Sequence, residues 1–124
     1  MKEILEAKGA KKVSIADLSR DDMAEAIEDA FRMGKLVVAA ASYDGDVFPP
    51  MYDFLHHLKL KTYQKRRVGI IENGSWAPCA GRVMRDMLAQ MKDVEIAEPM
   101  VTILSRMKQA DRAALEALAD AMLK

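Results

Sequence analysis

Leu36-Val-Val-Ala-Ala-Ala-Ser-Tyr-Asp-Gly-Asp-Val-Phe-Pro-Pro50 is the stretch that decides how this chain folds. An apolar, β-branched start predicts a buried strand over 36–41, and the Asp-Gly turn and Pro-Pro pair that follow predict a loop running into a helix. The pattern returns in Val68-Gly-Ile-Ile-Glu-Asn-Gly-Ser-Trp-Ala-Pro78. There a strand over 67–72 leads to a loop and then a helix from about Pro78. Each loop places glycine, small polar groups and one aromatic at the carboxyl end of a parallel strand. Open α/β sheets bind their ligands at that edge, so a planar ligand with polar edges fits between two such loops.

Working outward, helices and strands alternate without a linker. A short helix over 2–9 is expected, ended by Gly9. Val13-Ser-Ile-Ala-Asp17 reads as a strand, and Ser19 reads as the cap of a helix reaching Met33 with Met23, Ile27, Ala30 and Phe31 at helical spacing. The helix from Pro49 carries Met51, Phe54, Leu55 and Leu58, and the helix from Pro78 carries Val83, Met84, Met87, Leu88 and Met91. Residues 94–104 read as one longer or broken strand, interrupted near Pro99 because proline cannot donate to a ladder. A last helix over about 109–123 buries Leu115, Leu118, Ala119 and Met122. Such alternation implies right-handed βαβ units and a parallel sheet covered on both faces.

Composition bounds the function. At 124 residues the chain is one domain, 1–124, able to bury roughly two-thirds of its unfolded surface. Nineteen basic and nineteen acidic residues cancel, which argues against a nucleic-acid partner. The single cysteine, Cys79, excludes an internal disulfide and a cysteine-based zinc site and fits a reducing, cytoplasmic location. No apolar run approaches the ~18 residues of a membrane span, and the amino end is no signal peptide.

Taken together, these residues resemble the flavodoxin-like domain of the A-type flavoproteins, or flavodiiron proteins. The resemblance rests on Asp21-Asp-Met-Ala-Glu-Ala-Ile-Glu-Asp-Ala-Phe31, on the Ser42–Pro50 loop, and on Gly69-Ile-Ile-Glu-Asn-Gly-Ser-Trp-Ala-Pro78 with Val83-Met-Arg-Asp-Met-Leu88 behind it. It spans essentially the whole chain. It implies an α/β, flavodoxin-like three-layer sandwich that binds FMN and passes electrons to a separate diiron domain or redox partner protein. By resemblance Ser42, Tyr43, Asp44, Gly45 and Phe48 belong to the first flavin-contacting loop, and Asn73, Gly74, Ser75 and Trp76 to the second. Trp76 would stack on the flavin ring. No residue is assigned to catalysis or to a metal, since the iron ligands of the family lie outside this domain.

The sequence departs from the family at its start. Flavodoxins open with a strand and a Ser/Thr- and Gly-rich loop that holds the FMN phosphate, whereas Met1-Lys-Glu-Ile-Leu-Glu-Ala-Lys-Gly9 resembles only the end of the helix that follows. The expected sheet is therefore truncated at its amino end to about four strands, with 13–17 and 36–41 pairing directly or a second chain between them. Losing about four charge-assisted phosphate bonds costs on the order of 6 kcal/mol, so FMN binding is expected to be weak or absent. A cofactor-free module that dimerises or binds a partner is the alternative, and thin cover on one sheet face favours a homodimer.

The remaining polar features have plainer readings. The methionine stripes are core filler. His56 and His57 point to different faces of one helix and read as solvated. Cys79 reads as a small packed side chain before a redox sensor. The basic run Lys59, Lys61, Lys65, Arg66 and Arg67 reads as a solvated helix end before a docking patch.

Overall fold

A computed structural model describes residues 1–43, 45–75 and 78–124. The centre of the sheet is β1 (Lys35–Tyr43) lying parallel to β3 (Arg66–Gly74), with Leu36 opposite Val68 and Ala41 opposite Asn73. On its other side β3 takes β4 (Val94–Ile96) along its first residues and β5 (Val101–Leu104) along its last, both parallel. The expected broken strand over 94–104 is thus present, divided around Pro99. A two-residue strand, β2 (Asp46–Val47), folds back antiparallel on the end of β1 and completes the five-stranded sheet.

Side chains alternate across this sheet with period two. Val38, Val68 and Ile70 face a core built with α2 (Met23–Arg32), α3 (Pro49–Leu60) and α4 (Ala80–Ala89). Val37, Ile71 and Val101 face a smaller core built with α1 (Lys2–Ala7) and α5 (Gln109–Met122). The result is the expected three-layer α/β sandwich. The helical spacings match the buried stripes: Met51, Phe54, Leu55 and Leu58 on α3, and Leu115, Leu118, Ala119 and Met122 on α5, are all buried. On α4, Met84 and Leu88 are buried while Val83 and Met87 pack at the margin. Pro49 and Pro50 open α3, where a missing N–H costs nothing.

Two expectations fail in the amino-terminal third. Residues 13–17 form no strand and do not pair with β1. A strand needs a neighbouring ladder, and this segment instead ends in a local turn in which the Asp17 carboxylate accepts the N–H and hydroxyl of Ser19. Ile15, in the middle of that segment, is 77% exposed. Because Ser19 is committed to Asp17, it cannot cap α2. Asp22 does so, accepting the N–H of Ala24 at 3.0 Å, and the helix begins at Met23.

Candidate functional site

Both loops leave the sheet at the carboxyl ends of adjacent parallel strands, β1 and β3, and the structure brings them into contact. Ser42, at the end of β1, accepts two hydrogen bonds from the chain after β3: Cys79 N–H at 2.8 Å and Ala80 N–H at 3.1 Å. The Ser42 hydroxyl therefore caps α4 from a strand 37 residues earlier. Cys79 Sγ also lies 3.5 Å from the Asp46 carbonyl, tying the second loop to β2. Gly74 is wedged into this junction, where a Cβ would stand 3.1 Å from Pro78 and 3.4 Å from Ser42 Oγ. Close packing of loop on loop, rather than a left-handed backbone, explains glycine there.

Other candidate residues point elsewhere. Asn73 donates from Nδ2 to the carbonyls of Ile103, at 2.8 Å, and Ser105, at 3.0 Å, so its amide fastens β3 to the end of β5. Gly45 adopts φ +76°, which an L residue rarely tolerates, and its missing side chain would meet open space. Ser75 is exposed. Phe48 is half-exposed ahead of α3, its N–H donating to the Ala41 carbonyl at 3.0 Å, and it lines a cleft beside β1. Tyr43 ends β1 opposite Asp46. Asp44 and Trp76 lie outside the described residues.

Sequence reasoning missed Glu72. This acid is 5% exposed beneath the second loop, where it accepts the Gly81 N–H of α4 and, at 3.0 Å, the Thr102 hydroxyl. An acidic residue in an otherwise apolar strand was the only signal, and its partners sit on other elements.

The basic run also changes meaning. Arg66 donates to the carbonyls of Phe31 and Met33 at the end of α2 and lies 5.6 Å above the Tyr63 ring. Arg67 donates to the carbonyls of Ala121 and Lys124 at the end of α5. These two cations close helix carboxyl ends, where positive charge is favoured. They stand at the amino end of β3, across the domain from the loops. Among the described residues no group of His, Cys, Asp and Glu is arranged to hold a metal, and no helix is long and apolar enough to cross a membrane.

The helix amino termini decide what anion could be held. Asp22 caps α2, Pro49 and Pro50 remove two donors from α3, Ser42 and Glu72 occupy α4, and the Asp111 side chain accepts the Lys108 N–H at the start of α5. The ring edge of FMN is compatible with the open backbone at Gly45 and Ser75. Its phosphate is not matched, because these four termini are already satisfied.

No family model and no curated protein matches the chain. Solved structures do. The rubredoxin oxygen:oxidoreductase of the anaerobe Desulfovibrio gigas superposes with a TM-score of 0.88 at 15% identity, covering 97% of this chain and 30% of that one. A flavodoxin from the domain Archaea superposes with a TM-score of 0.81 at 14% identity, covering 98% of this chain and 82% of that one. The chain therefore has a flavodoxin-like α/β fold. It spans less than a third of the length of the oxidoreductase it resembles.

Proposed function

We propose that this chain is a flavodoxin-type electron-transfer module that receives the ring of FMN between the loops after β1 and β3 and binds it weakly. The observation that carries this reading is the contact between those loops, in which Ser42 is hydrogen-bonded to Cys79 and Ala80 at the carboxyl edge of the sheet. FMN when bound supplies one- and two-electron chemistry, and the protein supplies binding, orientation and exclusion of water. Gly45 and Ser75 offer backbone to the ring edge, and Trp76 is the candidate stacking group. The electron acceptor would be a separate redox protein or a diiron domain, as the likeness to an oxygen:oxidoreductase suggests.

A second reading, a cofactor-free partner-binding module, draws on the occupied helix termini and on the internal use of Ser42 and Asn73. Titration of flavin fluorescence separates the two, with Trp76→Ala as control. Quenching at tens of micromolar or tighter, lost in the variant, supports the flavin module. No quenching in that range leaves the cofactor-free reading.

A further inference from the structure

The amino ends of the parallel strands carry the feature that neither reading uses. α3 ends at Leu60 and the chain enters β3 at Arg66, while α4 ends at Ala89 and the chain enters β4 at Val94. Arg66 stands opposite Val94 in the sheet, so the two returns, 61–65 and 90–93, lie side by side. The Lys65 N–H donates to the Lys92 carbonyl at 3.2 Å and ties one to the other. From the last turn of α3 the Lys59 ammonium donates to the Gln90 side chain. Lys59, Lys61, Lys65 and Lys92 are thereby gathered on one surface, and all of them are exposed.

Their charge is not answered within the domain. None of these lysines makes an ion pair among the described residues. Asp93 is the one acidic residue in the two returns, and Glu95 beyond it is engaged by Arg67 at 3.2 Å. The arginines of the same basic run are turned away, Arg66 onto the end of α2 and Arg67 onto the end of α5. What remains for solvent is lysine, with Leu60 between Lys59 and Lys61 in the chain and 65% exposed.

The backbone beneath this surface is strained. Thr62, Lys65 and Asp93 have φ of +59°, +57° and +55°, and they are three of the four non-glycine residues with left-handed backbone among the described residues. Thr62 stands where a helix end ordinarily takes glycine: its N–H donates to the Lys59 carbonyl at 3.1 Å, and the Tyr63 N–H donates to the Leu58 carbonyl at 3.0 Å. For a β-branched residue that conformation is an outlier. Glycine would relieve the strain at both Thr62 and Lys65. At Lys65 it would also remove an ammonium from the surface. Strain of this kind gathers where function requires a side chain to stay.

We propose that this surface docks an acidic protein partner, one that presents several carboxylates around an apolar side chain. The carboxylates face Lys59, Lys61, Lys65 and Lys92, and the apolar side chain covers Leu60. Carboxylate suits the surface better than phosphate, because bidentate phosphate recognition uses the arginine fork and both arginines here are committed to carbonyls. The two returns expose no aromatic ring for a base to stack on, since Tyr63 is buried. The surface lies at the opposite end of the strands from the loops after β1 and β3, so a docked partner leaves the candidate flavin edge open. The proposal stands whether or not flavin binds.

The test titrates a peptide with two aspartates on either side of a leucine and follows the amide NMR shifts of the chain. Exposed ion pairs and one apolar contact give an expected dissociation constant on the order of 1 mM at low salt. The shifts are expected to fall within 59–65 and 90–93. Lys61→Glu combined with Lys65→Glu is expected to weaken binding by about tenfold, and Leu60→Ser severalfold. Arg82→Glu combined with Arg106→Glu changes the net charge equally at the far edge, and is expected to leave the affinity within about twofold. Should the lysine double variant fail to fold, the shift map of the unaltered chain still decides. No shift up to several millimolar peptide, shifts centred elsewhere, or equal weakening by both double variants overturns the proposal. So does tighter binding of a duplex oligonucleotide or of phosphatidylserine vesicles to the same residues, or a doubled mass in sedimentation that Leu60→Ser abolishes. A nucleic acid, a membrane or a second copy is then the occupant.

Discussion

Glu72 and Gly81 are held so closely that a side chain at position 81 would have to displace the Glu72 carboxylate. The Gly81 N–H donates to Glu72 Oε2, and a Cβ on Gly81 would fall on that carboxylate and 2.6 Å from Met100 Sδ. The glycine leaves room for the carboxylate, and the acid accepts from both a helix amide and the Thr102 hydroxyl. Gly81→Ala is expected to destabilise the fold by about 1–3 kcal/mol. Glu72→Met, of similar volume, strands a buried N–H and a hydroxyl and is expected to cost about 2 kcal/mol or more. Urea unfolding of both variants checks this, and an unchanged midpoint in either refutes it.

Tyr63 offers the opposite case. Its side chain is 1% exposed and packs edge-on against Phe31, with ring centroids 5.3 Å apart, yet among the described residues its hydroxyl has no partner. Tyr63→Phe removes the unsatisfied group and is expected to raise stability by about 1 kcal/mol. Burial pushes the Tyr63 hydroxyl up to about 12 from 10.0, against the opposing pull of Arg66. In the unfolded chain the phenol ionises first, so stability is lost as pH rises from 10 towards 12. Denaturant midpoints of the two proteins across that range should therefore diverge, with the parent falling faster.

Asn73 links two strands through donors alone. Asn73→Asp keeps the shape and replaces the donating amide with acceptors facing the Ile103 and Ser105 carbonyls. The expected loss exceeds 1 kcal/mol, larger than for Asn73→Ala, because repulsion is added to the missing bonds. Thermal melts of the pair test the order, and the reverse order would remove the amide from its bridging role.

Ser42 joins the two loops. Ser42→Ala should cost about 1 kcal/mol of stability through the lost cap on α4. If the loops form the flavin site, the same change should also weaken FMN quenching. A stability loss with unaltered flavin affinity would separate the cap from the site.

The sequence was most legible where a helix buries one face. The stripes on α3 and α5 follow directly from 3.6-residue spacing, and Pro49 marks a start by its chemistry alone. It was least legible where a neighbour decides. Residues 13–17 have strand-forming types but no ladder to join, and β2 exists only because the chain returns along β1. Ser19 and Asp22 are both good caps, and only the Asp17–Ser19 turn settles which one serves α2. In the site, glycine at the end of each strand marked the two loops, while the contact between them through Ser42 and the buried role of Glu72 needed partners from other elements.

The sheet is blunted wherever it could otherwise extend. On one flank β4 and β5 share β3 as two short pieces broken around Pro99. On the other, β2 blocks the carboxyl end of β1, and the remaining edge lies inside a cleft instead of on a rim. The backbone there is walled in by side chains of the surrounding elements, Leu5, Ala30 and Met51 among them. Edge-to-edge growth of one sheet onto another is thus disfavoured on both flanks.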